Sequence, residues 1–415
     1  MKNHITATYY IETTEDLRKI AETMAKMQST GTWKELSAET RQIIKKYGAV
    51  VKSVKKTGEK SKYELPTKQA KGKKVNCGTV KIDYPCDNFG SRISMILTTT
   101  AGEIFDMQEL TAVKLTDIDF REDFLKSFHG PAFGLEGCRD IVKAYGRPLF
   151  GAIIKPCVGL TPNEIAKMAY DVSRAGADFI KDDELLADAP YNPLKDRIIA
   201  VSKALGKSYE ETGKITMYAF NVTDDADRSL DFHDLVKKHG GRALMFNVLS
   251  GGFSVLASLA KRTEMPIHCH RDFAVASFRS RFLGISSNLF TKLIRLSGGD
   301  QIQCGGGAGS YLYETDEEVI ESVDECLDKM GKIKKSLPVI SGGQWAGTLT
   351  ANLKKLKHTD FMFLCGGGVF GHPDGGYAGM RSLYAAYEAF TGKIPLKQTK
   401  DKYLKAAIKY FGKPL

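Results

Sequence analysis

Residues 181–184 read Lys-Asp-Asp-Glu, an amine among three carboxylates. Carboxylate oxygens suit Mg²⁺, which keeps water and substrate oxygens in its shell. If a strand persists through the run, Lys181 and Asp183 point the same way, and Glu184 joins them as the chain turns out of the sheet. A protonated amine does not bind a cation. Lys181 fits such a site only after modification, for instance by CO2 to an anionic carbamate. Taken alone, the run also reads as a solvated acidic turn. Further on, His270 and Arg271 offer a base and an anion clamp. A histidine at a strand end also serves as a structural hydrogen-bonder. A metal cluster of His268, Cys269, His270 and Cys304 would need ligands from opposite faces of one strand. Ser341-Gly342-Gly343 and Gly366-Gly367-Gly368 are turns whose bare N–H groups can approach an anion closely.

The elements that position these residues recur from about residue 149. Short apolar runs sit at 149–155 (LFGAIIK), 177–181, 215–220, 243–248, 266–270, 301–304, 337–340 and 361–365. Most are followed by room for a helix, and several such stretches read as one, for example PNEIAKMAYDVSRAG and EEVIESVDECLDKM. Eight buried strands alternating with helices mean parallel βαβ units. Eight units over about 240 residues match a closed (β/α)8 barrel, with a doubly wound open sheet as competitor. In such a barrel the active site forms at the C-terminal ends of the strands. Lys155, Lys181, His270, Ser341 and the glycine triplet at 366–368 all lie there. Gly-rich turns after strands seven and eight are the usual phosphate site of that fold.

Residues 1–125 read as a smaller α+β domain, and 126–415 as the (β/α)8 (TIM) barrel domain with C-terminal helices. The start alternates like a strand, and 14–27 (TEDLRKIAETMAKM) has helical spacing. Strand-like runs follow near Val80–Ile82, Met95–Thr99 and Ala112–Leu115.

Composition excludes other classes. The chain has 415 residues, of which 42% are hydrophobic and 26% charged, as in a soluble globular protein. No apolar run approaches a membrane span, and the N-terminus does not read as a secretory signal. A cytoplasmic location is expected. The net charge is +11, but residues 51–74 carry nine lysines with Tyr63 as their one aromatic. Nucleic-acid binding by stacking wants interleaved aromatics, so this run reads as a solvated loop or edge strand. The eight cysteines include no CxxC pair and read as reduced, buried residues. No nucleic-acid or membrane partner is expected.

The set GAIIKPCVGL, GADFIKDDE, HCHRDF, RLSGGDQI, ISGG and CGGGVFGHPDG, with STGTW at 29–33, resembles the large subunit of RuBisCO over nearly the whole chain. The resemblance implies a carbamylated Lys181 (N6-carboxylysine) that holds Mg²⁺ together with Asp183 and Glu184. It implies a proton carrier in Lys155 and an active-site histidine in His270. Arg271 would clamp a distal phosphate. Ser341, Gly342, Gly343, Gly367 and Gly368 would bind substrate. Thr32 and Trp33 would come from a partner subunit, so the minimal unit would be a homodimer or an oligomer of dimers.

The departures from that family lie around CO2 and bisphosphate. Ser310 stands where the loop after the sixth strand carries a lysine that positions CO2. Gln303 replaces a histidine, Cys157 a lysine, Met27 an acidic residue and Glu103 an asparagine. An intact metal triad with altered CO2 and bisphosphate contacts resembles the RuBisCO-like proteins (form IV), which keep enolising chemistry and lose carboxylation. The expected function is Mg²⁺-dependent enolisation of a phosphorylated keto-sugar or sugar acid, leading to isomerisation, tautomerisation or decarboxylation. The alternatives are the methionine-salvage enolase of 2,3-diketo-5-methylthiopentyl-1-phosphate, a divergent ribulose-bisphosphate carboxylase, and a non-catalytic sugar-phosphate sensor. The expected substrate carries one phosphate and a polar or singly charged far end beside Arg271 and Gln303.

Overall fold

Strands buried on both faces need helices to cover them, and a closed ring of such strands leaves no edge. The computed structural model describes residues 3–32, 34, 36–65, 67 and 74–415. In chain order its strands are β1 (His4–Thr13), β2 (Val50–Lys60), β3 (Val75–Pro85), β4 (Leu110–Phe120), β5 (Leu149–Ile153), β6 (Phe179–Lys181) and β7 (Met217–Asn221). There follow β8 (Ala243–Asn247), β9 (Ile267–His270), β10 (Leu283–Ile285), β11 (Gln301–Gly305), β12 (Leu337–Ser341) and β13 (Met362–Cys365). The chain divides into two compact units. One comprises Met1–Phe128 with Phe273–Leu293 and Lys329–Ile333. The other comprises His129–Asp272, Ile294–Asp328 and Lys334–Leu415.

The first unit is a five-stranded sheet in the order β10-β4-β1-β3-β2. β1 pairs antiparallel with β3 and β4, whereas β10 joins β4 in parallel. β2 is an edge strand with mostly exposed side chains, so its lysines are solvated and discourage edge-to-edge pairing. Lys68, Lys71 and Lys73 of the same run lie outside the described residues. The helix Leu17–Met27 buries Leu17, Ile20, Ala21, Met24 and Ala25, the spacing of one helical face. Asp16 caps it by accepting from the N–H groups of Arg18 and Lys19.

One expectation is corrected here. Met95–Thr99 lies within a helix, Ile93–Ala101. Its β-branched residues have strand propensity, but Ile93, Ile96 and Thr100 are buried at helical spacing, and that packing decides. The hydroxyls of Thr98 and Thr100 donate back to the carbonyls of Ser94 and Ile96, which satisfies them within the helix.

The second unit is the closed parallel barrel β5-β6-β7-β8-β9-β11-β12-β13, with β13 pairing back onto β5. Each of the eight apolar runs read from the sequence becomes one of its strands. Leu149, Ile153, Phe179, Met217, Ala219, Ala243, Met245, Leu337, Val339, Met362 and Leu364 share one core cluster. Their two-residue steps are the inward parity of the strands. Leu135, Cys138 and Val142 of the helix Gly134–Val142 join the cluster and plug its N-terminal end. Gly134 begins that helix at φ +66°, and a Cβ there would come within 2.3 Å of the Lys335 carbonyl, so only glycine fits. All eight cysteines are free, and all but Cys157 are buried. No helix among the described residues is long and apolar enough to cross a membrane.

Asp300 ties this end together. Its carboxylate accepts from the N–H groups of Phe133 (2.7 Å), Gly134 (2.8 Å) and Ile267 (2.9 Å). Burial pushes its carboxyl up to about 6 despite those bonds. Asp300→Ala leaves three buried donors unpaired, at about 1–3 kcal/mol each, and should lower the thermal midpoint markedly. Asp300→Asn keeps one acceptor oxygen and should lose less. Calorimetry on the two variants checks this order.

Candidate active site

The inward parity that buries apolar side chains lower in the barrel brings Lys181, Asn221, Asn247 and His270 to its C-terminal mouth. Lys181 is the last residue of β6 and has no exposed surface. Its Nζ donates to the Asp182 carbonyl (2.9 Å) and to Glu184 Oε2 (3.0 Å), and lies 3.4 Å from Met245 Sδ. The strand stops there. Asp183 therefore does not share a strand face with Lys181, as strand alternation led us to expect. It sits in a turn, where its carboxylate accepts from Leu185 N–H (3.1 Å) and its carbonyl from Leu186 N–H (3.0 Å). Lys155, just beyond β5, donates to Asp183 Oδ2 (2.5 Å) and to Cys157 Sγ (3.0 Å).

Asp182, the middle residue of the run, holds the turn from behind. Its carboxylate accepts from Tyr218 Oη–H (2.6 Å), Asn221 N–H (2.9 Å) and Arg197 Nε–H (3.1 Å). Both partners of this ion pair are fully buried. Arg197 also donates to Asn192 and to the Ala187 carbonyl, so its guanidinium is well satisfied. From the other side, the side-chain amides of Asn221 and Asn247 donate to the Glu184 carbonyl (3.2 and 3.0 Å). Three elements, β7, the helix Leu194–Thr212 and β8, thus fix the backbone of the Lys-Asp-Asp-Glu run.

The charges at the mouth are strongly coupled. Burial pulls the Glu184 carboxyl upward, but the charges of Lys181 and His270 and the hydrogen bonds outweigh it and hold it at about 2. Burial pulls Lys155 downward, yet its bonds to Asp183 and Cys157 and the nearby carboxylates keep its ammonium above the ordinary range. Burial, then the charge of Lys181, lower His270 to about 4. Its Nε2 is 3.7 Å from Glu184 Oε2. His270 Nδ1 and Asn247 Oδ1 are buried without a hydrogen-bond partner among the described residues.

Arg271 follows β9, and its Nη2 lies 2.9 Å from Oε1 of Glu314, with both side chains buried. Gln303 reaches His268 instead, at 3.4 Å, and His268 also lies 3.2 Å from Gln301 Oε1. Ser310 is turned into its own loop, where its Oγ accepts from Leu312 N–H (3.0 Å). That loop lies over the turn after β12. A Cβ on Gly342 would meet Leu312 Cδ1 at 2.5 Å, and one on Gly343 would meet Tyr311 Cδ1 at 2.9 Å. Gly368 is pressed against the Gln344 carbonyl, whereas the space beside Gly367 is open. Ser341 ends β12 and is buried. In the first unit, Thr32 is half-buried, Met27 ends its helix, and Glu103 lies at the turn after Ile93–Ala101. Trp33 lies outside the described residues.

Sequence reasoning missed four participants. Asn221 and Asn247 carried a signal, since one follows the apolar run 215–220 and the other lies within the run 243–248, each at the inward parity of its strand. Arg197 and Glu314 carried none, because their partners lie 15 and 43 residues away in the chain.

The model of the ribulose bisphosphate carboxylase large chain, catalytic domain, matches residues 134–411, and that of the N-terminal domain matches residues 1–124. A ribulose bisphosphate carboxylase-like protein of Chlorobaculum tepidum is 36% identical over 399 residues, covering 96% of this chain and 91% of its own. A 3-oxo-isoapionate-4-phosphate decarboxylase of Rhizobium rhizogenes is 33% identical over 395 residues, covering 94% of each. The crystal structure of a rubisco-like protein from Burkholderia fungorum superimposes with a TM-score of 0.90 at 32% identity, over 99% of this chain and 100% of that one.

The setting of His270 has a measurable consequence. Its folded value lies below its ordinary one, so the unfolded chain takes the proton first and stability falls as pH drops. The loss should begin below 6.5 and be complete near about 4. Imidazole NMR shifts should report titration near the lower value, and a His270→Gln variant should lose less stability across that window.

Proposed function

Because the chain belongs to the ribulose bisphosphate carboxylase large-chain family, we propose that it is a RuBisCO-like, Mg²⁺-dependent enzyme. In this reading it enolises a phosphorylated keto-sugar or sugar acid and does not fix CO2. The observation that carries the reading is the fully buried Lys181 beside Glu184, with Lys155 on Asp183, at the barrel mouth.

The residues fit a carbamate and a metal on charge alone. Lys155, Lys181, Asp183 and Glu184 sum to zero as they stand. Converting the Lys181 ammonium to a carbamate removes two positive charges, and a divalent cation restores them. The cluster, in which Lys181 and Asp183 are buried and Lys155 and Glu184 partly so, therefore needs no new counter-charge, which matters where desolvated charge is costly. Lys181, Asp183 and Glu184 would be the protein ligands. Mg²⁺ held there would act as a Lewis acid on a substrate carbonyl and its neighbouring oxygen, making the adjacent carbon-bound proton acidic.

The chain's own residues would do the rest. Lys155, kept as an ammonium by Asp183, is placed to donate a proton to a developing oxyanion. His270 is neutral at pH 7, with Nδ1 unpartnered, and can accept one. The turns at Ser341–Gly343 and Gly366–Gly368 would bind the phosphate, with Thr32 and Trp33 of a second copy completing it in a homodimer. Absence of carboxylation is supported by the loop after β11, which has no lysine from 305 to 315 and turns Ser310 back on itself. Among the outcomes open to an enediolate, decarboxylation is favoured by the Rhizobium rhizogenes relative.

Pure protein with Mg²⁺ and bicarbonate, incubated with sugar phosphates in D2O, should exchange the proton next to the carbonyl. Lys181→Ala should cut that exchange by about 100-fold or more. A variant that keeps normal Mg²⁺-dependent exchange means that the site is misassigned. With ribulose bisphosphate and labelled bicarbonate, the wild type should incorporate no label. Sustained incorporation would make it a carboxylase.

A further inference from the structure

We propose that Cys304 and Cys326 are a modification site: they form a reversible disulfide that clamps β11 to the helix Asp316–Leu327 and closes the base of the loop between them. The inference does not depend on the reaction proposed above.

Alternation along β11 brings the two residues together. Gln301 faces into the barrel, toward Cys138 Sγ and Met217 Sδ, and Gln303 does so toward His268. Cys304 therefore faces outward, toward the layer of helices. The helix Asp316–Leu327 buries Val319, Ser322, Val323 and Cys326, the spacing of one helical face. Where strand and helix meet, Cys304 Sγ lies 3.6 Å from Cys326 Sγ, and neither residue has exposed surface. Of the eight free cysteines, these two meet sulfur to sulfur. The sulfurs are at van der Waals contact, from which a bond of about 2.0 Å forms.

The reduced pair is at rest, because the Cys304 thiol has the carbonyls of Ile302 (3.3 Å) and Ser322 (3.5 Å) to donate to. Burial resists its ionisation, but the hydrogen bond from Cys326, then the charge of Arg271, hold it below its ordinary range. Burial and the neighbouring Cys304 push Cys326 up. One sulfur is thus the readier nucleophile, with a proton donor beside it. Hydrogen peroxide is the oxidant. Cys304 sulfur attacks one peroxide oxygen, the O–O bond breaks, and the thiol proton leaves with the other oxygen as water. Cys326 sulfur then attacks the sulfenic sulfur of Cys304. The S–S bond forms, the S–O bond breaks, and the oxygen leaves with the Cys326 proton as a second water. Two electrons pass from the sulfurs to the peroxide. The bond closes a ring over residues 304–326, which includes Gly305, Gly307 and Gly309, all at positive φ. In a reducing compartment such a bond is transient and reports oxidation.

The full chain carrying Cys157→Ser, which removes the one cysteine that is not buried, is treated with hydrogen peroxide, unfolded in an alkylating agent and analysed by mass spectrometry. Two thiols should escape alkylation, and digestion should give a single linked pair of peptides holding Cys304 and Cys326. Dithiothreitol should restore both thiols. The oxidised protein should melt about 4–8 °C above the reduced one. Adding Cys304→Ser or Cys326→Ser should remove both the link and the rise. The thiol count is read with both cysteines in place, so poor folding of a serine variant does not blunt it. Full alkylation after peroxide, a link between other cysteines, or further oxidation of Cys304 without a link overturns the pair. A Cys304–Cys326 link that leaves the melting temperature unchanged or lowers it overturns the clamp.

Discussion

A lysine with no exposed surface must meet its charge inside the protein, and that requirement at Lys181 organises the barrel mouth. Burying an ammonium without a counter-charge is prohibitive. Glu184 supplies one at 3.0 Å, but only because the chain leaves β6 immediately after Lys181. A longer strand would carry Glu184 to the opposite face. The turn is therefore as necessary as the carboxylate. It is held by a second buried pair, Asp182 with Arg197, whose remaining donors are taken up by Asn192 and Ala187. One buried charge thus calls for another behind it, and the inner pair is satisfied by backbone groups, the Asn192 side chain and the Tyr218 hydroxyl.

The same logic extends around the rim. Lys155 is drawn onto Asp183, leaving two cations and two anions in balance. His270 cannot join as a third cation, because burial and Lys181 keep it neutral. The site therefore holds one strongly acidic carboxylate, one firmly protonated amine and one neutral imidazole within a few side chains. Divergent protonation among neighbours is what a general acid and a general base placed side by side require, and buried ion-pair networks produce it as well.

The loop after β11 works differently. It binds itself through Ser310, whose Oγ accepts from Leu312 N–H. Leu312 and Tyr311 lie over the glycines after β12, and Glu314 anchors its return to Arg271. The glycines serve two needs at once: they admit the loop, and Gly367 leaves an open approach to the backbone.

The sequence by itself determined the barrel, because strand identity and inward parity are local properties that two-residue alternation and turn residues encode. It also put Lys155, Lys181, His270 and the two glycine turns at one rim, since each ends or follows its own strand. It misread 95–99, where β-branched residues suggested a strand and burial at helical spacing made a helix. What only the tertiary structure decided is which charge meets which. Lys155 finds Asp183 across 28 residues, Arg197 finds Asp182 across 15, and Arg271 finds Glu314 across 43. Ion pairing depends on distance in space and on exclusion of water, and neither is written in the spacing of residues along the chain.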